Sequence, residues 1–368
     1  MYRISSLPRR VGKRILWETL TFVLARPQML KLTKGLFAYF PVLRANLKAK
    51  AFAFAGMRET NSRPRPEDTQ VKESTGTSPF FYYNSTFDPQ ILIRKHAPNS
   101  VKPHKKYVTN YLGLLIDPKI FPSHLNREIG KVENIPIPAN WHADIAEWGA
   151  ALRAVEFSKG DFTIIEVGCG WGCWMNNTGL VAKRQGLNLN LIGIEGDQGH
   201  IDFAKETLNL NGFQASEYKI YRGIAAAHSG YAFFPNNENY GEAYGQEPVF
   251  CNIQQDIEKM RMSGKYDELP MISLEDISRE CMRIDLLHID IQGGEFDFIR
   301  DCLNILSKKV AYILIGTHSR AIEGRLFEIL LKSGWLLEIE RPAILSLDPA
   351  PHVTVDGVQG WRNRTLLP

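Results

Sequence analysis

Four residues close apolar, strand-like runs and have side chains that could act on one ligand: Glu166, Glu195, Asp290 and His318. Glu166 stands two places before Gly168-Cys169-Gly170-Trp171-Gly172. Glycines at alternate positions let a backbone turn sharply and approach a ligand with no Cβ in the way. A dinucleotide fingerprint reads G-x-G-x-x-G and seats a pyrophosphate on the following helix. Here the spacing is G-x-G-x-G, with Cys at position 173. A carboxylate at Glu166 would repel a pyrophosphate and suits an ammonium group. Glu195 lies 23 residues beyond Gly172, close to the ~20-residue offset at which an acid takes ribose hydroxyls. The two acids together favour S-adenosylmethionine (SAM) over NAD. An ordinary strand, turn and helix with surface acids would read the same way locally. The convergence of four strand ends argues for a site.

The elements that must position these residues alternate. Residues 162–167 form an apolar, β-branched strand covered on both faces, and 173–183 the helix after the glycine turn. Residues 191–195 are the second strand. Residues 198–211 are a helix that Gly212 caps. Residues 218–222 are the third strand, ending at Gly223 and Ile224, where an adenine ring would lie. Residues 232–234 suggest a hairpin arm, and 235–268 a long loop able to lid the substrate. Residues 271–274 read as a short strand and 275–281 as a short helix. A strand ending near Asp290 follows, then a turn at Gln292-Gly293-Gly294, and Glu295 opens a helix. Residues 310–316 are the fifth strand, carrying Thr317-His318-Ser319 at its end, and 321–332 a helix. Residues 335–340 and 352–355 are expected to form the closing antiparallel pair. The fold class is therefore α/β: a Rossmann-like, doubly wound, mostly parallel sheet with a closing antiparallel pair. A helix over about 141–157, capped by Asn140, leads into the first strand. Its position beside the cofactor mouth makes His142, Asp144 and Glu147 candidate substrate contacts. The alternative is that they cap and solvate one helix.

The charge is unevenly spread. Residues 1–50 hold eleven Lys/Arg and one acid, Glu18, so they carry +10 of a net +4 and leave −6 for the rest. We read 1–59 as a basic helical arm, 60–79 as a flexible linker, 80–160 as an accessory, substrate-capping region and 161–368 as the main domain. The arm, residues 1–57 above all, suits an anionic membrane surface or packing on its own domain. It matches no nucleic-acid-binding motif, so no nucleic acid is expected. The sequence has no run of 18 apolar residues for a membrane span, and no small-residue cleavage site follows the basic start. Five cysteines without a C-x-x-C pair fit a reducing compartment. The expected location is cytoplasmic, and peripheral on the inner face of the membrane if the arm binds there rather than packing on its own domain.

At these residues the sequence resembles the FkbM-type class I SAM-dependent methyltransferases. The matching segments are Ile165-Glu166-Val167-Gly168-Cys169-Gly170-Trp171-Gly172, Gly193-Ile194-Glu195-Gly196-Asp197, Ile272-Ser273-Leu274-Glu275-Asp276, the block from Asp285 to Glu295, and Ile315-Gly316-Thr317-His318-Ser319. The resemblance spans about residues 140–340. It implies SAM as cofactor and O-methylation, often of a sugar or glycan hydroxyl. A poorly nucleophilic hydroxyl needs a base, and His318 is the first choice because an unperturbed imidazole titrates near neutrality. Asp290 is the alternative base and also a cofactor contact, with Gln292 and Glu295 beside the acceptor. Some sugar methyltransferases hold a divalent metal with acids at the ends of the fourth and fifth strands. Here the fifth offers Gly316-Thr317-His318, so no metal is expected. Two other readings stand: methylation of a small metabolite or peptide, and a non-catalytic scaffold of the same fold.

Overall fold

The computed structural model describes residues 78–236, 241, 243–251 and 253–368. The arm read at 1–59, and the linker as far as residue 77, lie outside them. In chain order the strands are β1 (Asn84–Ser85), β2 (Val108–Thr109), β3 (Leu115–Ile116), β4 (Asp161–Val167), β5 (Asn188–Glu195), β6 (Tyr218–Arg222), β7 (Ile224–Ala226) and β8 (Gly230–Pro235). They continue with β9 (Tyr266–Ser273), β10 (Leu286–Ile289), β11 (Tyr312–Thr317), β12 (Trp335–Arg341), β13 (Ile344–Ser346), β14 (His352–Val355) and β15 (Gly357–Asn363). The helices are α1 (Pro89–His96), α2 (Pro122–Leu125), α3 (Ile145–Glu156), α4 (Cys173–Arg184), α5 (Gln198–Leu210), α6 (Gln254–Ser263), α7 (Leu274–Ile277), α8 (Glu295–Lys309) and α9 (Arg320–Lys332).

β4 is extended because every residue after Asp161 is apolar or buried and several are β-branched. Successive side chains alternate between faces. Phe162 and Ile164 enter a core shared with Trp148 and Leu152 of α3. Ile165 and Val167 enter another, shared with Phe298 of α8 and Leu326 of α9. Helices therefore cover both faces of an eight-stranded sheet with the order β1-β12-β15-β11-β10-β4-β5-β6. β11, β10, β4, β5 and β6 run parallel. β10, β4 and β5 lie side by side, with Glu166 paired to His288 on one flank and Gly193 on the other.

The closing antiparallel strands differ from the sequence reading. β12 pairs with β15, which lies between β12 and β11, and β14 pairs with β13 in a small separate hairpin. The sequence reading assigned no element to residues 357–363. Gly360 permits close packing there, since a Cβ would meet Ile339 at 2.6 Å and the Tyr312 hydroxyl at 2.8 Å. The segment after β6 also differs. β9 spans eight residues and joins β7 and β8 in a three-stranded sheet, and α6 occupies part of the stretch read as loop.

Residues 80–160 are built into the same unit as the sheet, which runs Gly76–Pro368. β1 pairs with β12, and α3 lies on the sheet. Asp144 is the N-cap of α3, with Glu147 completing a capping box. Asn140 instead accepts from the backbone of His142 and Ala143 in the preceding turn. Asp144 also pairs with Arg341 of β12, both nearly fully buried.

Candidate active site

Gly168, Gly170 and Gly172 have φ of 72°, 51° and 73°, a region costly to any residue with a Cβ. At Gly168 the demand is also steric, since a Cβ would lie 2.0 Å from the carbonyl oxygen of Asp290. The turn after β4 is thus pressed against the turn after β10. The amides of Gly168 and Cys169 both donate to the Ile194 carbonyl of β5. Three strand ends are tied together at one point.

Glu166 is 1% exposed. Its two oxygens accept from the amides of Trp174 (3.1 Å) and Met175 (2.9 Å) in the first turn of α4. The N-cap of that helix, Gly172, has no side chain to offer, so a strand residue caps it. The sequence reading aimed Glu166 at a ligand ammonium; both of its oxygens go to the helix instead. Burial, with Asp290 and Glu195 adding, pushes its pKa up to about 8 despite these bonds. His288 lies 3.6 Å from it, with a pKa that burial lowers to about 3, and so is neutral.

Glu195 accepts from the Gly170 amide through one oxygen (2.9 Å) and from Gly196 and Asp197 through the other. Glu195 thus holds the glycine turn itself, and Glu166 the start of the helix that follows it. Gly223 donates to the Glu195 carbonyl. A Cβ at Gly223 would strike Ile272 and the Pro270 carbonyl, so the glycine serves the approach of β9. Ile224 is buried with Phe234 in a small apolar cluster just beyond Glu195.

The second half of the site surrounds His318. Its Nδ1 donates to Glu295 (2.8 Å), and its Nε2 lies 3.4 Å from Asp290 and 3.7 Å from Asp356. Burial opposes charge on the imidazole. The Glu295 bond and the three carboxylates outweigh it and push the pKa up to about 9. The imidazole is therefore a cation at neutral pH, where the sequence reading took it as unperturbed. Asp290 keeps an open edge, with 45% of its side chain exposed. The walls around it still desolvate it enough, with Glu295 and Asp356 adding and His318 opposing, to raise its pKa to about 6. Glu295 is fully buried and also accepts from the amides of Ile291 and Gly293, so it holds the turn and the imidazole. Gln292 has a φ of 54°, unusual for a residue with a side chain, and donates to Asp290.

The candidates before β4 have structural duties. His142 faces Cys173 Sγ at 3.3 Å and lies among Trp141, Trp148, Trp171 and Trp174. Burial lowers its pKa to about 3. Asp144 and Glu147 form the α3 cap. Burial and Asp144 raise Glu147 to about 8, and Asp290 also contributes, so this helix start does face the cleft. The sequence reading missed His288 and Asp356. His288 stood inside the Asp285-to-Glu295 block, two places before Asp290. Asp356 stands immediately before β15, a strand to which the sequence reading assigned no element.

A Rossmann-like sheet with an acid-flanked glycine turn across β10, β4 and β5 defines an α/β methyltransferase-type domain. The FkbM methyltransferase domain is matched over residues 158–333. A protein of Jannaschia sp. (strain CCS1), named as a methyltransferase, is 48% identical over 260 residues, covering 70% of this chain and 93% of that protein. The chain belongs to the FkbM methyltransferase family. Among solved structures, methyltransferase FkbM from Methylobacillus flagellatus KT is 14% identical, over 60% of this chain and 55% of that one, with a TM-score of 0.35. The N-terminal domain of human METTL16 in complex with SAH is 13% identical, over 62% and 75%, with a TM-score of 0.32.

Proposed function

We propose that the protein transfers a methyl group from SAM to a hydroxyl oxygen of a sugar in a glycan or glycoconjugate. The observation that supports the donor is the unbalanced acidity of the cleft. Glu166, Glu195 and Asp290 stand at the ends of three adjacent strands; burial, with Asp290 and Glu195 adding, raises Glu166 to about 8, and burial, with Glu295 and Asp356 adding, raises Asp290 to about 6. A positively charged ligand relieves the repulsion among these carboxylates and a pyrophosphate worsens it. The donor set fits SAM. Glu195 would take ribose hydroxyls, since a carboxylate oxygen holding one amide can accept again. Asp290, with its exposed edge, would face its positive groups, and Glu166 would hold the helix behind the turn, with Gly168, Gly170 and Gly172 giving backbone access and Gly223 and Ile224 near the base.

When bound, SAM supplies a methyl group already activated by its sulfonium. The chain must align the acceptor oxygen, which can contribute several kcal/mol, and receive its proton. With His318 protonated, Asp290 is the group ready to take that proton at neutral pH, and His318 and Gln292 hold its carboxylate in place. The sugar acceptor rests on the resemblance of the Asp285-to-Glu295 block to FkbM-type enzymes. Among the described residues no helix is long and apolar enough to cross a membrane. We propose that residues 1–57 bind an anionic membrane surface.

The test has two parts. Calorimetric titration with S-adenosylhomocysteine (SAH) should show one site, and absence of binding would remove the donor. Labelled SAM offered with sugars, small metabolites and peptides should then mark sugars, and label on the other two classes alone would reject the acceptor.

A further inference from the structure

Between β8 and α6, the described residues Gly241, Tyr244 and Gly245 touch the carboxyl ends of three neighbouring strands in turn. After β5, Asp197 accepts from the Gly241 amide at 2.9 Å, and Phe203 of α5 presses on Gly241. After β4, the Tyr244 ring lies 3.7 Å from where a Cβ on Gly170 would stand. After β10, the Gln292 side chain lies 3.3 Å from the Cβ position of Gly245. Since the sheet order is β5-β4-β10, these points cross the glycine turn from its ribose-side acid to its acceptor-side turn. Tyr244 is the best-anchored point. Its ring stacks on His200 at 4.2 Å, and its hydroxyl donates to the Ile120 carbonyl at 3.2 Å. Phe121 adds an edge contact at 6.0 Å.

We propose that Gly241, Tyr244 and Gly245 form a strap roofing the donor turn, latched by Tyr244, and that it must lift before the donor enters. The proposal rests on the SAM reading for what the strap admits. It makes Tyr244 a positioning residue that sets how often the site is open. In such a pre-equilibrium the observed association rate scales with the open fraction.

Tyr244 is 42% exposed, so substitutions there leave the core intact. Tyr244→Phe removes only the bond to Ile120 and should raise the association rate of SAH about fivefold, the worth of one hydrogen bond. Tyr244→Ala removes the stack as well and should raise it a few tens-fold. Stopped-flow tryptophan fluorescence reads both. Amide hydrogen exchange at Gly241 reads strap opening with no ligand present and should quicken in the same order. Association rates in the order Ala, Phe, wild type support the latch. Unchanged rates in both variants, or unchanged exchange at Gly241, overturn the strap. Faster exchange with no SAH bound by any form overturns the donor reading and with it what the strap admits.

Discussion

Gly168→Ala tests how the site is held together, and Gly212→Ala is its control. Both glycines have nearly the same φ, 72° and 76°. Forcing alanine into that region costs roughly 1–2 kcal/mol, partly offset by about 0.4–1 kcal/mol from a stiffer unfolded chain. A Cβ at Gly212 meets nothing within 4 Å, whereas at Gly168 it meets the Asp290 carbonyl oxygen at 2.0 Å. That neighbour is backbone in the turn after β10, so relief requires parting the β4 and β10 turns. Overpacking of this kind adds about 1–3 kcal/mol. Gly212→Ala should therefore lose about 1 kcal/mol and Gly168→Ala about 2–4 kcal/mol. At about 2–4 °C per kcal/mol for a domain of this size, the melting temperature should fall by about 2–4 °C and 5–15 °C respectively. Differential scanning calorimetry measures this, and titration with SAH should show at least about a tenfold loss of affinity for Gly168→Ala alone. Equal melting temperatures in the two variants, or unaltered SAH affinity in Gly168→Ala, would refute the pressed-turn account.

The remaining expectations concern charge. Glu166 has a folded pKa of about 8 against an ordinary value near 4.5, so its ionisation opposes folding. Stability of the free protein should fall as pH rises from about 4.5 through 8, by up to a few kcal/mol at about 1.4 kcal/mol per unit. His318, raised to about 9, stabilises fully below about 6.5 and loses that contribution towards pH 9. Urea melts across pH 5–9 should show the decline, and Glu166→Gln should flatten it. Asp290→Asn should lower kcat by about 10²–10⁴, the usual worth of a general base; a loss below about threefold in labelled-SAM turnover would exclude that role. Arg341→Met strands a buried Asp144 carboxylate and should cost about 3–5 kcal/mol by urea denaturation. Adding Asp144→Asn should recover part of it.

The sheet centre was legible because its signals are local. A β-branched run before alternating glycines defines β4 and its turn, and alternating strands and helices give the parallel order. The partner of β12 was not legible, because Gly360 is explained by Ile339 and Tyr312, residues far away in sequence. The site shows the same division. Glu166, Glu195, Asp290 and His318 could be picked out as strand-end residues. That Glu166 spends its oxygens on α4, or that His318 is cationic, follows from amides and carboxylates brought in from other segments. Asp356 and Tyr244 carried no local signal at all.

β15 threads between β11 and β12, and Asp356, which opens toward His318, immediately precedes it. During synthesis the glycine turn after β4 is made well before this strand. A nascent chain that has emerged only through α9 holds β11 with a bare edge, the kind of template that pairs with other chains. Asp356 therefore joins the carboxylates around His318 only when β15 takes its place beside β11, which ties the last charge of the cluster to the strand that covers this edge.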